Sequence, residues 1–259
     1  MAQFDRNKWF RFNGFDSKGK YMICTKGNGD LTSQFGVNRS INEEDGVGNV
    51  PVFYGVKDEC PTLEMSITKV SNKDGIEPFT DSELMELTRI LCKKEYKAFE
   101  CGGLVYYVIF TQGSLWRVGS GQGVITLNMR LSSPHAYSPI MLNSVRCAEE
   151  KEFDVYNKST YDDFIYPDIE IKMLKGNNII IENVTTGQIV KFEGLDSGEH
   201  IYVYNDNMKQ MVSKLDSKKN IYSKSNKEFL KLPYGRNKIK ITCEEAKVKL
   251  IYQNKINLF

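Results

Sequence analysis

The segment Val124-Ile125-Thr126-Leu127-Asn128-Met129-Arg130-Leu131 decides the fold class, because its apolar residues recur at every second position. That spacing turns Ile125, Leu127, Met129 and Leu131 to one face of an extended chain and leaves Thr126, Asn128 and Arg130 on the other, as in a strand with one buried face. The same alternation runs through Leu63, Met65 and Ile67, and the β-branched and aromatic run Leu104 to Phe110 lies between the two. Strands of one sheet system are predicted for all three.

A single helix interrupts them. Thr80-Asp81-Ser82-Glu83 forms a capping box, and Leu84, Leu87 and Leu91 recur at helical spacing with Ile90 beside them. Acids in the first turn and Lys93 and Lys94 placed in the last complement the helix dipole, so a helix is predicted over 81–96. Before it, Asn42 to Pro61 is rich in glycine, yet holds Val52, Phe53, Tyr54 and Val56. Apolar side chains in such an excursion need a surface to cover them, which predicts an arm, Asn49 to Val56, docked on a neighbour.

The strand pattern breaks at Ser132-Ser133-Pro134-His135-Ala136-Tyr137-Ser138-Pro139, which sets the predicted domain boundary: 1–138 and 139–259. Ile140 to Phe164 reads as irregular. From Pro167 a second strand series begins, with tight turns expected at Lys175-Gly176-Asn177-Asn178, Thr185 to Gln188, Asp196 to Glu199 and Asp206-Asn207, and with Ile239 to Tyr252 as a final hairpin. Short strands at this spacing indicate an antiparallel sandwich or jelly roll, without a helix.

Composition narrows function. With 41% hydrophobic and 26% charged residues the chain folds as a globular protein, and its 259 residues favour two domains. A net charge of +2, with basic residues scattered, gives no electrostatic footprint for nucleic acid. Apolar runs are too short to insert in a membrane, and the polar start Met1 to Phe10 resembles no signal peptide, so synthesis in the cytoplasm is expected. The six cysteines, Cys24, Cys60, Cys92, Cys101, Cys147 and Cys243, form no C-x-x-C pair and read as small core residues; no metal and no cofactor is expected.

Chemistry leaves no trace above background. Gly119 to Gly123 lacks a following Lys-Ser/Thr and reads as a hairpin turn instead of a phosphate loop. Cys101 with His135 is a poor nucleophile and base, since Cys101 follows Glu100 and precedes a strand. Glu199-His200 and Asp162-Asp163 read as solvated turns. The expected class is a structural protein and not an enzyme.

The order of features resembles the distal tail protein of long-tailed bacteriophages along nearly the whole chain. In the first half the resemblance rests on Phe12-Asn13-Gly14-Phe15-Asp16-Ser17, Asn49-Val50-Pro51, Gly55, the helix from Glu83 to Phe99 and Ser133 to Ser138. In the second it rests on Gly176-Asn177-Asn178-Ile179 through Asn183, Thr186-Gly187-Gln188, Gly194 to Glu199, Ile221-Tyr222-Ser223 and Leu232-Pro233-Tyr234-Gly235-Arg236-Asn237. The resemblance implies a mainly β chain, with an N-terminal split β-barrel bearing one α-helix and a C-terminal galectin-like antiparallel β-sandwich. It also implies a homohexameric ring at the virion's tail tip, with the tail tube protein, a tail-associated or tail-tip protein and receptor-binding proteins as partners. A carbohydrate-binding adhesion module that recognises the bacterial surface is the alternative, although no tryptophan lies beyond Trp116 to supply the strongest sugar-stacking platform.

Overall fold

The computed structural model describes residues 9–24, 38–46, 48, 50–70, 76–118, 121–161, 163–205 and 209–258. Asn49, Gly119, Ser120, Asp162 and the turn Asp206-Asn207 lie outside them, as do residues 1–8. The chain forms two compact units, Met1–Tyr137 with Ile256–Phe259, and Ser138–Lys255. It is mainly β, with one α-helix among the described residues.

In the first unit the elements run β1 (Phe10–Phe12), β2 (Phe15–Asp16), β3 (Tyr21–Cys24), β4 (Arg39–Asp45), β5 (Pro51–Asp58), β6 (Thr62–Lys69), α1 (Asp81–Leu91), β7 (Lys97–Cys101), β8 (Leu104–Val118), β9 (Gly121–Leu131) and β10 (His135–Tyr137). The main sheet is antiparallel in the order β2-β1-β7-β8-β9-β6-β3, while β4 and β5 pair only with each other. Alternation does what the sequence predicts: Ile125, Leu127, Met129 and Leu131 of β9 are buried together with Met65 and Ile67 of β6. Phe10 stacks on Phe99 at 5.5 Å between ring centres, and Phe12 meets Phe110 edge-on at 5.1 Å. Burying each of Phe10, Phe12 and Phe99 contributes roughly 1.5–3 kcal/mol.

Helix α1 adds Leu87 and Leu91 to this core. Its capping box forms: the Thr80 hydroxyl accepts from the Glu83 amide at 3.3 Å, and the Glu83 carboxylate accepts from the Thr80 amide at 2.7 Å. The helix ends at Leu91, short of the expected Tyr96. From Lys97 the chain is a strand paired with both β1 and β8, and only that pairing buries Phe99 and Cys101 in the core. Lys93 still satisfies the helix end, its ammonium donating to the Arg89 carbonyl at 2.7 Å.

The second unit contains β11 (Met141–Asn157), β12 (Asp168–Asn183), β13 (Gln188–Phe192), β14 (His200–Tyr204), β15 (Gln210–Ser213), a 3-10 turn (Tyr222–Lys224) and β16 (Gly235–Tyr252). The sheet order is β11-β16-β12-β14-β15, with β13 also on β12. A last strand, β17 (Lys255–Asn257), pairs with β10, so the chain passes between the units twice.

Three sequence expectations are corrected here. Ile140 to Phe164 holds the 17-residue strand β11. As an edge strand it buries few side chains and carries charge, which hides its period: Glu150, Glu152 and Asp154 pair with Lys240, Lys238 and Arg236 of β16. The final hairpin is instead one 18-residue strand, β16, in which burial switches phase between Cys243 and Ala246 because the ladder to β11 slips at Ala148/Glu149. Lys175 to Asn178 is a bulge inside β12 and not a turn. Lys175 pairs with Glu245 and Ile179 with Cys243, so β12 spends extra residues against β16 while its other edge changes partner from β14 to β13. Gly176, at φ +75°, supplies the conformation the bulge needs.

Buried asparagines fasten the irregular segment before β16. Asn183 donates to the Lys231 carbonyl and to Asn237; Asn237 donates to the Pro233 and Gly235 carbonyls; Asn157 donates to Leu232 and Asn205 to Leu230. These bonds seat Leu230 and Leu232 in the core. Replacing Asn237 by Ala strands the Pro233 and Gly235 carbonyls and should cost about 1–3 kcal/mol in denaturant unfolding; an unchanged midpoint would show that the bonds do not anchor the segment.

Candidate functional site

The arm expected at Asn49 to Val56 is a two-stranded ribbon. Arg39 pairs with Asp58 at its base, where the guanidinium Nε meets the carboxylate at 2.8 Å, and the ladder runs to Asp45 opposite Pro51. At the tip the Gly46 amide donates to the Val50 carbonyl at 3.2 Å, and a Cβ on Gly46 would stand 2.3 Å from that same oxygen. Gly55, at φ +133°, sits where the ladder slips between Asn42 and Glu43. The glycines are thus there to turn and kink a ribbon, which is why the stretch reads as a loop in sequence.

Every β4 side chain is exposed, and β5 is exposed at all but two positions. The structure brings the four predicted residues Val52, Phe53, Tyr54 and Val56 together on this ribbon, Phe53 with 62% of its surface in solvent. Ile41 and Val50 join them and were missed by sequence reasoning; Ile41 lies opposite Val56 in the ladder. Acids frame the group, since Glu43 faces Phe53 and Glu44 faces Val52 across the ribbon, and the Tyr54 hydroxyl donates to Glu44 at 3.3 Å. The register sets Ile41, Phe53 and Val56 on one face of the ribbon and Val52 on the other, so exposed apolar side chains, of the kind that mark an interaction surface, lie on both.

A second apolar feature lies elsewhere in the same unit. Leu84, Leu87 and Leu91 of α1 face Phe110 and Leu115 of β8 and Leu127 of β9 across a groove of about 320 Å³. Among the described residues no charged side chain lines it.

The polar candidates make no site together. Burial pushes the Cys101 thiol up to about 12, far from the thiolate a nucleophile requires. His135 is buried against Tyr137, ring centres 4.8 Å apart. Of the Gly-rich run 119–123, Gly121 pairs with Val118 at the end of the β8–β9 hairpin. Asp163 forms an ion pair with Lys255 at 2.5 Å. Glu199 is a correction: it is no solvated turn residue, being only 2% exposed. Burial alone would raise its pKa, but the Lys219 ammonium and the Ser213 hydroxyl at 2.6 Å hold the carboxyl below its ordinary value. Neighbouring His200 meets Glu170 at 2.7 Å, and Lys249 meets the same carboxylate at 2.8 Å. Among the described residues no three His, Cys, Asp or Glu group as metal ligands, and no helix is long and apolar enough to cross a membrane.

Residues 6–133 match the family described as phage tail protein N-terminal domain, and residues 135–252 match the phage tail C-terminal domain. The chain belongs to this family of phage tail proteins. It is therefore a virion component. No curated protein sequence matches it. Its fold is that of Dit from phage SPP1, solved as a paradigm of the hub adsorption apparatus in phages that infect Gram-positive bacteria, with a TM-score of 0.63 at 13% identity over 95% of this chain and 98% of that one. A chain of the phage P2 baseplate, in its activated conformation with Ca, gives a TM-score of 0.53 at 9% identity over 95% and 97%. The same baseplate with Sr gives 0.51 at 9% identity over 94% and 97%.

The cysteines separate by environment. Cys101, Cys147 and Cys243 are buried as expected of core residues, whereas Cys92, just past the end of α1, is exposed. Alkylation of the native protein followed by peptide mass mapping should label Cys92 first and leave Cys101, Cys147 and Cys243 unmodified until denaturant is added; early labelling of Cys101 would contradict its burial.

Proposed function

We propose that this phage tail protein is a distal tail hub: copies of the chain close into a hexameric ring that joins the tail tube to the baseplate or tail tip and supports host attachment. The observation that carries the reading is the exposed apolar ribbon β4–β5 in a chain of this family. A ring of one chain type is built from heterologous contacts, in which a patch on one copy meets a different patch on the next and the rotation closes. A ribbon that exposes Val52, Phe53, Tyr54 and Val56 along β5 offers one such patch. The hub adsorption apparatus named for SPP1 Dit, and the baseplate setting of the P2 chain, support the place in the particle. On this reading the protein works by geometry and not by catalysis, and its partners are the tail tube protein, a tail-associated or tail-tip protein and receptor-binding proteins.

A second reading, carbohydrate recognition by the second unit, draws on a cleft of about 550 Å³ lined by Tyr161, Phe164, Tyr234 and Asp163, with Tyr234 78% exposed. Aromatic faces beside a carboxylate suit a sugar.

Light scattering and negative-stain imaging decide between them. The wild-type chain should form rings, and the triple variant Val52→Ser, Phe53→Ser, Tyr54→Ser should remain a folded monomer. Rings that persist in the triple variant would discard the arm, and monomers of wild type that bind a glycan array would favour the second reading.

A further inference from the structure

The exposed ribbon and the groove beside α1 both present apolar side chains. We propose that the β4–β5 ribbon of one copy seats in the α1–β8–β9 groove of the next, with Phe53 as the anchor. This rests on the ring reading and adds to it the surface that receives the arm.

Three observations support the pairing. The first is apolar match: the ribbon exposes Ile41, Val52, Phe53, Tyr54 and Val56, and the groove is walled by leucines and Phe110, with Thr88, Thr111, Gln112 and Ser114 and, among the described residues, no charged side chain. On the groove side Leu115 is 45% exposed and Leu84 and Phe110 are half-buried, while Leu87, Leu91 and Leu127 are already buried, so the apolar area removed from water, at roughly 25 cal/mol per Å², comes from the first three and from the ribbon. The second is size. About 320 Å³ falls at the lower end of cavities that seat a ligand, which suits an aromatic side chain with a smaller neighbour and not a whole strand. The third is charge. Glu43, Glu44 and Asp45 are exposed along β4, and the register puts Glu43 beside Phe53. At the Leu91–Cys92 end of the groove Arg89 of α1 and Lys94, just past the helix, are exposed, while Lys93 is held at the Arg89 carbonyl and exposed Glu95 is paired with Lys97. Seating Phe53 with Glu43 toward that end sets acids against bases at the rim, which fixes orientation and registers the contact.

The arrangement also explains an exposed thiol. Cys92 lies in the groove wall at this basic end, within the part of the rim assigned to Glu43. That supplies a test which leaves the apolar anchors intact. A Glu43→Cys variant, oxidised with copper-phenanthroline and run on a non-reducing gel, should give a ladder of dimer and higher species. The ladder should collapse at least ten-fold in Glu43→Cys combined with Cys92→Ser. As an independent check, Leu115→Arg at the half-exposed wall should reduce the ring fraction at least ten-fold while circular dichroism stays that of wild type. Rings without a Cys92-dependent ladder would overturn the groove as the receiving surface while leaving the ring itself standing. A Cys92-dependent bond formed only within single chains would overturn it as well. A wild-type chain that stays monomeric at high concentration would overturn the ring reading, and the docking with it.

Discussion

A two-stranded ribbon cannot bury its own side chains. Both of its faces meet solvent, its only ladder is internal, and in isolation such a hairpin is marginal in water. In this chain the ribbon nonetheless carries valine, isoleucine, phenylalanine and tyrosine, and these side chains stay exposed on a pair of strands that ladder only with each other. Glycines at the tip and at the ladder slip hold that shape, and the Arg39–Asp58 pair closes its base. A cost of this kind makes sense where another surface does the covering.

The second unit solves the same problem by the opposite route. Two long strands, β12 and β16, run the length of its sheet, and both absorb irregularity through bulges without stopping. The bulge at Lys175 to Asn178 lets β12 serve β14 along one half and β13 along the other, so one continuous strand organises the whole sheet. Buried amides then fasten the segment before β16 over the core, which converts a stretch without regular structure into a fixed wall. The surface of this unit carries its charges in pairs, as in the ladder between β11 and β16, and leaves scattered aromatics such as Tyr234 in place of an apolar ribbon.

What the sequence disclosed follows from what has a local signal. The capping box at Thr80 and the alternation around Ile67 and Met129 depend on neighbours within a few residues, so they were legible. The same local logic misread Lys175-Gly176-Asn177-Asn178, since glycine and asparagine serve a bulge as readily as a turn, and only the partner strand running past tells them apart. It misread β16 because a phase slip in alternation looks like the start of a new strand. It missed β11 because an edge strand with paired charges has little apolar period to display. It took Glu199 for a surface acid because Lys219, which holds the buried carboxylate, lies twenty residues on. The arm's apolar residues were visible as an anomaly of composition; the groove was not, since its walls come from α1, β8 and β9 and meet only in the folded unit.

On the proposed assembly, the ribbon is ordered and covered by copies of the same chain. Hydrogen–deuterium exchange measured on dilute monomer and on concentrated, assembled protein tests it most directly, because amides of an unsupported ribbon open easily and those of a covered one do not. The account predicts that backbone amides of residues 39–58 slow at least ten-fold on assembly, while those of β12 and β16 keep one rate. Equal exchange across 39–58 in both samples would contradict it.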